Sequence, residues 1–552
     1  MPFRKSLLAF GLVVVFGACG TTQDTATTTP TQPAVLFEGM GNHKRKVSTG
    51  NAMAQTYFDQ GLALSFGFNH DEAVRSYAEA ARLDPDCAMA WWGKAYALGP
   101  NYNRSLSKEN SDRAYAAIQN AIARKGKASA IERDMIDALA SRYRKSQKKD
   151  AKRFDDFKGY VAAMNKLWKK YPGDDDIGTL YADALLNVSP WDQWEKDGTP
   201  KGNTLQIVKT LERVLEINPS HPGANHLYIH TVEASFNPGR AEAAADRLLN
   251  LSPGIGHLVH MPAHIYMRIG RYDDSVACNA KACDRDREYF AKRGNQGVYH
   301  FYHLHNHHFL IWSAMFQGRY EDAVNQCDEL MKDMPESMRT HPGMADWFAT
   351  KLHVYIRFGR WGEVLKSAVP PKEQPYAIAM WHYARGVAYA NTGKFKQAHA
   401  EAKAFEAMAT RVPNGQMVHV VPAQHVLALA RAMLAGETAF KEGKTEEAFK
   451  HLRVAVVAED NLRYTEPNPW MMPSRHALGA LLLQEGQVEE AEQCYVADLR
   501  RYPGNGWSLH GLAECQERRG ATAEAEKTRE RFDAAWAKAT VIIKASCFCR
   551  TK

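Results

Sequence analysis

The feature that most constrains this chain is a recurring turn. A glycine followed by a polar and usually a bulky residue returns at Gly270-Arg271-Tyr272, Gly318-Arg319-Tyr320, Gly359-Arg360-Trp361, Gly393-Lys394-Phe395, Gly443-Lys444-Thr445, Gly486-Gln487-Val488 and Gly520. Each copy is flanked by apolar residues at three- and four-residue spacing, the pattern of amphipathic helices. A helix pair of this kind cannot bury its apolar face alone, so stacked pairs must share one continuous core. At 552 residues the chain exceeds one ordinary core and suits such an array.

The stretch Tyr57 to Pro85, YFDQGLALSFGFNHDEAVRSYAEAARLDP, has the break, the small Ala73 and the closing proline of one such pair, and resembles the tetratricopeptide repeat. Asp84-Pro85, Asn218-Pro219 and Tyr502-Pro503 resemble its proline endings. The expected fold is therefore all-α, a tetratricopeptide-like helix-turn-helix solenoid from about residue 50 to 540 with irregular loop insertions. The organisation read from the chain is a signal segment at 1–18, a lipidated tether and lead-in at 19–49, N-terminal repeats at 50–202, central repeats at 203–370, C-terminal repeats at 371–540 and a tail at 541–552. Gly99 to Asp112 and Ser189 to Asn203 interrupt the pattern; the second carries Trp191 and Trp194, as a rim over a groove or as packing on a flank.

Arg4 and Lys5, the apolar Ser6 to Phe16 and the small Gly17-Ala18 before Cys19 resemble a bacterial lipoprotein signal. The resemblance implies lipidation of Cys19 and a place in the cell envelope outside the cytoplasmic membrane, in the outer membrane where the host has one. The Thr/Pro-rich Gly20 to Pro33 reads as the tether, and the lipid is the only expected membrane contact. Cys278, Cys283, Cys327 and Cys494 fall on second helices and read as buried thiols, whereas Cys547-Phe548-Cys549 reads as a loose tail able to oxidise or bind a soft metal. The net charge of +8 is dispersed, and the Lys145 to Lys152 run reads as a solvated helix end or loop, so no nucleic-acid partner is expected.

Histidines concentrate between His221 and Leu310, in HPGANHLYIHTVEAS, GHLVHMPAHIYMRIGRY and YHFYHLHNHHFL. With the turn glycine as position fifteen, the tetratricopeptide register implies that positions two, five and nine of each first helix face a concave groove. Counting back gives His226, Ile229 and Glu233, with His230 beside them; then His257, His260 and His264; then His305, His308 and Trp312; then Asp346, Ala349 and His353. Residues three, four or seven apart share a helix face, so these side chains can converge. His226, His230, Glu233, His257, His260, His264, His305 and His308 are the expected metal ligands. His221, Trp312, Asp346, His353, Trp191 and Trp194 are the expected groove residues.

These histidine runs, with the preceding PWDQW and DGTPKGN, resemble a group of bacterial tetratricopeptide-repeat proteins, over most of the mature chain. The resemblance implies a shared site at His221, His226, His230, Glu233, His257, His260, His264, His305 and His308, and supplies no substrate; His303 and His307 depart from it. The chain has no GxSxG elbow, P-loop, dinucleotide fingerprint or HExxH motif. His476 and His510 read as packing or rim residues, and Asn468-Pro469-Trp470 as a loop without a role.

Two classes of function remain. In the first, which is the reading taken, an envelope-anchored scaffold binds an envelope protein, a peptide or a small ligand in its histidine-lined groove, through a transition metal or as a metal-free interaction surface whose imidazoles change charge near their reference value of about 6.5. Alternatively the histidines hold a transition metal (zinc, copper, iron or manganese), for storage and delivery or as the centre of a metal-dependent enzyme.

Overall fold

The computed structural model describes residues 34–143, 155–294 and 297–550. Cys19, the tether and the Lys145 to Lys152 run lie outside the described residues. Those described form helix after helix, and the one sheet among them is the two-stranded hairpin Met417–Val418 and Val421–Pro422. None of the described helices is long and apolar enough to cross a membrane.

The recurring turn has one physical basis throughout. After Tyr266, Ala314, Tyr355, Tyr389, Ala439, Leu482 and Gln516, the N–H five residues on donates back to the carbonyl and closes the first helix. The residue before that donor is the turn glycine, at φ between 63° and 86° in every case. This is the left-handed close that favours glycine. Gly393 has open space around its Cα, so Gly393→Ala meets backbone strain alone, costing about 1–2 kcal/mol. A Cβ on Gly270 would run into the Pro503 carbonyl, so Gly270→Ala costs more than Gly393→Ala in urea unfolding. Equal losses would contradict a close packing of Pro503 on that turn.

The chain divides into two compact units. The first comprises residues 34–38, His43–Gln193 and Asn203–Ile217; the second comprises Gly39–Asn42, Trp194–Gly202 and Asn218–Lys552. The division differs from the sequence reading at two places. Helix Thr204–Ile217 belongs to the first unit, where Val214 packs into the space beside Gly178 on helix Asp175–Leu186. The central and C-terminal repeats form one unit because the later helices fold back onto the earlier ones. Trp507 Nε1 donates to the Met315 carbonyl at 2.9 Å, and Tyr502 packs on Phe316 with ring centroids 5.0 Å apart.

In the first unit the two insertions meet. Tyr102 Oη donates to Gln193 Oε1 at 2.8 Å, and Trp191 lies 5.1 Å from the Tyr102 ring with its Nε1 on Asn103 Oδ1 at 3.0 Å. Trp191 therefore packs one insertion on the other. Trp194, in the second unit, donates from Nε1 to the Thr231 carbonyl at 2.7 Å.

The tail is not loose. Ser546 Oγ shares a hydrogen bond with Tyr495 Oη at 2.7 Å and donates to the His476 carbonyl at 2.8 Å. Cys547 and Cys549 are joined in a disulfide, with Cys549 buried, and Phe548 packs at Gly359. Cys278, Cys283, Cys327 and Cys494 are buried free thiols.

One buried carboxylate in the second unit sets a pH dependence. Burial pushes Glu437 up to about 7, against the weaker opposing effects of Asn391 and Lys441. The folded chain then holds a proton that the unfolded chain has released, so stability falls as pH rises from about 4.5 through 7. Glu437→Gln removes that loss, a gain on the order of 2–3 kcal/mol over the wild type at pH 8 and little at pH 5. Equal gains at both pH values in urea unfolding would contradict the assignment.

Candidate metal centre

The central histidines sit on four helical segments of the second unit: Pro222–Val232, Gly256–His260, Pro262–Ile269 and Val298–Phe316. The repeat register predicts one helix where the structure has Gly256–His260 and Pro262–Ile269. Pro262 has no N–H to give, so the ladder breaks at Met261 while the backbone stays helical there, at φ −51° and ψ −35°. His257, His260 and His264 consequently keep one face.

Six imidazoles converge in two sets of three. In His226, His230 and His257, one ring nitrogen from each lies within 4.8 Å of the others, and His260, His264 and His305 do the same. Ring centroids are 4.9 Å apart for His226 and His230, and 4.8 Å for both His260 with His264 and His260 with His305. The sets touch, at 5.9 Å between His257 and His260 and 5.8 Å between His230 and His264. Five of the residues are buried and His305 is partly exposed.

Oxygen acceptors orient two of these rings, and two carboxylates lie beside a third. His230 Nδ1 lies 3.1 Å from Glu233 Oε1, and His260 Nδ1 lies 2.6 Å from Asn279 Oδ1. His264 Nδ1 lies 2.6 Å from Glu233 Oε2 and 3.3 Å from Glu466 Oε2. At His230 and His260 the oxygen acceptor at Nδ1 places the ring proton there and turns the Nε2 lone pair into the cluster. His260 Nε2 and His264 Nε2 then face each other across 2.9 Å. Two lone pairs at that separation repel unless a proton or a metal ion lies between them.

The electrostatics favour neutral rings at His230, His257, His260 and His305, and a protonated ring at His264. His257 and His260 are held well below the ordinary imidazole value, first by burial and then by neighbouring imidazoles. His305 is lowered for the same reasons. Burial lowers His230 despite Glu233. At His264 burial is outweighed by Glu233 and Glu466, which raise it. Glu233 is held low against its burial by His264 and His230, whereas burial keeps Glu466 raised.

The structure places the remaining sequence candidates elsewhere. Glu233 sits at the Nδ1 atoms of His230 and His264, as a positioning group behind the rings. His308 joins Asp346 and His419 in a separate group. His221 caps helix Pro222–Val232, its Nδ1 accepting from the Ala224 N–H at 3.1 Å. Trp312 is packed among Phe309, Phe316 and Tyr502, and His353 lies 5.4 Å from the Trp470 ring. These groove positions are buried because the loop after Thr445–Asp460 and helix Gly506–Arg518 pack over the central first helices. His303 and His307 turn away, to Asp333 Oδ2 at 2.8 and 3.3 Å.

Three participants have no signal in the histidine runs. Asn279 comes from the second helix of the same pair. Glu466 comes from the loop that also carries Asn468-Pro469-Trp470, and His419 comes from the hairpin turn. Only their residue types, scattered over the sequence, could have drawn attention to them.

Residues 54–87 match the tetratricopeptide repeat family model. No curated protein matches the chain. Among solved structures it is similar to the human IFIT1 dimer with m7Gppp-AAAA, at 14% identity over 89% of this chain and 91% of that one, with a TM-score of 0.31. It is also similar to the APC/C hetero-tetramer Cut9-Hcn1 (12% identity, 91% and 77% covered, TM-score 0.30) and to yeast Tom70 (12%, 88% and 91%, TM-score 0.30). With the helix pairs and left-handed turns described above, the chain is an all-α protein of tetratricopeptide-like design that carries a tetratricopeptide repeat at residues 54–87.

Proposed function

We propose that the protein is a tetratricopeptide-type scaffold whose central repeats hold transition-metal ions between two adjacent three-imidazole sets, His226/His230/His257 and His260/His264/His305. The observation that carries this reading is the orientation of the rings. Glu233 and Asn279 take the Nδ1 atoms of His230 and His260, which directs their Nε2 atoms into one buried space, and the carboxylates of Glu233 and Glu466 lie beside His264. Outer oxygen partners of this kind accompany metal-ligating histidines and fix their tautomer. Three imidazoles around a zinc-sized ion, with bonds of about 2.0–2.1 Å, need only modest shifts from their present separations.

The donor set narrows the metal. Imidazole nitrogen suits copper, zinc and iron, and manganese stands lowest in intrinsic affinity among these. A bound ion would neutralise the two buried carboxylates and, with three protein ligands, keep a position open for a further ligand. Partner binding belongs to other faces of the repeats, since repeat arrays offer extended surfaces for it. Lipidation at Cys19 would hold this scaffold in the cell envelope. The test is elemental analysis of the purified protein before and after chelation: retained zinc, copper or iron that returns on reloading supports the centre. No retained metal, and no thermal shift with any of the three ions, would overturn it.

A further inference from the structure

Outside the two imidazole sets, His308, Asp346 and His419 meet from three separate elements of the second unit. We propose that they form an independent divalent-metal site of two imidazoles and one carboxylate, completed by the hairpin turn. His308 lies one helical turn beyond His305 on Val298–Phe316, and Asp346 lies in the first turn of Ala345–Arg357. His419 occupies the two-residue turn between Val418 and Val421. His419 Nε2 is 3.4 Å from Asp346 Oδ2, and His308 Nε2 is 3.9 Å from the same oxygen. One ligand atom from each residue lies within 4.8 Å of the others.

Two further observations point to a ligand there. His308 is 0% exposed and Asp346 4%, yet both ring nitrogens of His308, Asp346 Oδ2 and His419 Nε2 have no hydrogen-bond partner. Buried polar atoms without partners are costly, and a carboxylate oxygen facing two imidazoles is a charge that a cation would balance. Tyr376 Oη donates to the other oxygen, Asp346 Oδ1, at 3.4 Å, leaving Oδ2 to the imidazoles. The backbone supplies the second observation. His419 stands at φ 52°, where glycine or asparagine is at ease in a two-residue hairpin turn and histidine is strained. That strain brings the imidazole of His419 against Asp346.

Replacing one imidazole by a carboxylate makes this set harder than the all-imidazole sets, so iron(II), manganese(II) and zinc(II) are the ions it fits. Three ligands on one side leave positions open to solvent, and His419, partly exposed, lies on that route.

The test uses the full chain, stripped by chelation, reloaded with zinc(II) or manganese(II) and desalted, with bound metal counted per chain. His419→Gly should remove the turn strain, raise the melting temperature of the metal-free protein and lower the bound metal by one equivalent. Asp346→Asn should lose the same equivalent. The double variant His257→Gln/His419→Gly should bind one equivalent less than His257→Gln alone, which separates this site from the central sets and supports it even if the central sets hold nothing. Unchanged stoichiometry in His419→Gly, with the protein folded by circular dichroism, would overturn it.

Discussion

Asp498→Ala is expected to destabilise the protein by about 3–5 kcal/mol, because it strips the countercharge from a buried network. Asp498 Oδ2 lies 2.7 Å from His476 Nε2 and accepts from Ser508 Oγ at 2.7 Å and Asn505 Nδ2 at 2.9 Å. His476 Nδ1 accepts in turn from Arg357 Nη2 at 2.9 Å, which fixes the proton on Nε2 and aims it at the carboxylate. The Arg357 guanidinium stacks 3.5 Å from the centre of the Trp507 ring and is buried. Burial lowers Arg357 well below its ordinary value, and Asp498 is what opposes that. Alanine leaves a histidine, a serine and an asparagine without their shared acceptor, and Arg357 without the charge that opposes its burial. Asp498→Asn keeps the shape and loses the charge, so it should fall between. Urea unfolding reads both, and a loss under about 1 kcal/mol for Asp498→Ala would show that the network carries little stability.

The second large effect is metal-linked stability. An ion that binds only the folded chain at a thousandfold over its Kd adds about 4 kcal/mol per site. The metal-free protein loaded with zinc(II) should therefore melt at a markedly higher temperature, and chelation should reverse the shift. His260→Gln should abolish the increment from its own set. Glutamine is the better substitution because His260 is wholly buried and bonded to Asn279. The register implies a His260 that faces an open groove, whereas the ring is enclosed. Alanine there would instead leave a cavity and an unsatisfied Asn279, costing stability whatever the metal does. The separating quantity is the difference between loaded and metal-free protein. An equal increment in wild type and His260→Gln would exclude His260 as a ligand.

The fold was legible because its signal is local and repeated. The turn glycines at 270, 318, 359, 393, 443, 486 and 520 mark left-handed turns whose requirement can be read from one residue and its flanks. Convergence of His257, His260 and His264 follows from spacing on one face, and the break at Pro262 left it intact. What the sequence could not supply is long-range. Glu466 is some two hundred residues from His264, and His419 over a hundred from His308; both arrive because the second half of the chain packs onto the central helices. The same packing buried Trp312 and His353 at positions where the register implied a groove. His308 was grouped with His305 by its position on the helix, yet it joins Asp346 and His419 in a separate cluster.

The most direct test of the central claim is X-ray absorption at the zinc edge of the full chain loaded with stoichiometric zinc, in wild type and with His226, His230 and His257 changed to glutamine. Expected are a first shell of nitrogen and oxygen at about 2.0–2.1 Å with imidazole scattering from the three-ring sets and the two-ring site together, and loss of one three-ring site in the triple variant. A shell of oxygen alone without imidazole scattering, or an unchanged spectrum and zinc content in the triple variant, would contradict it.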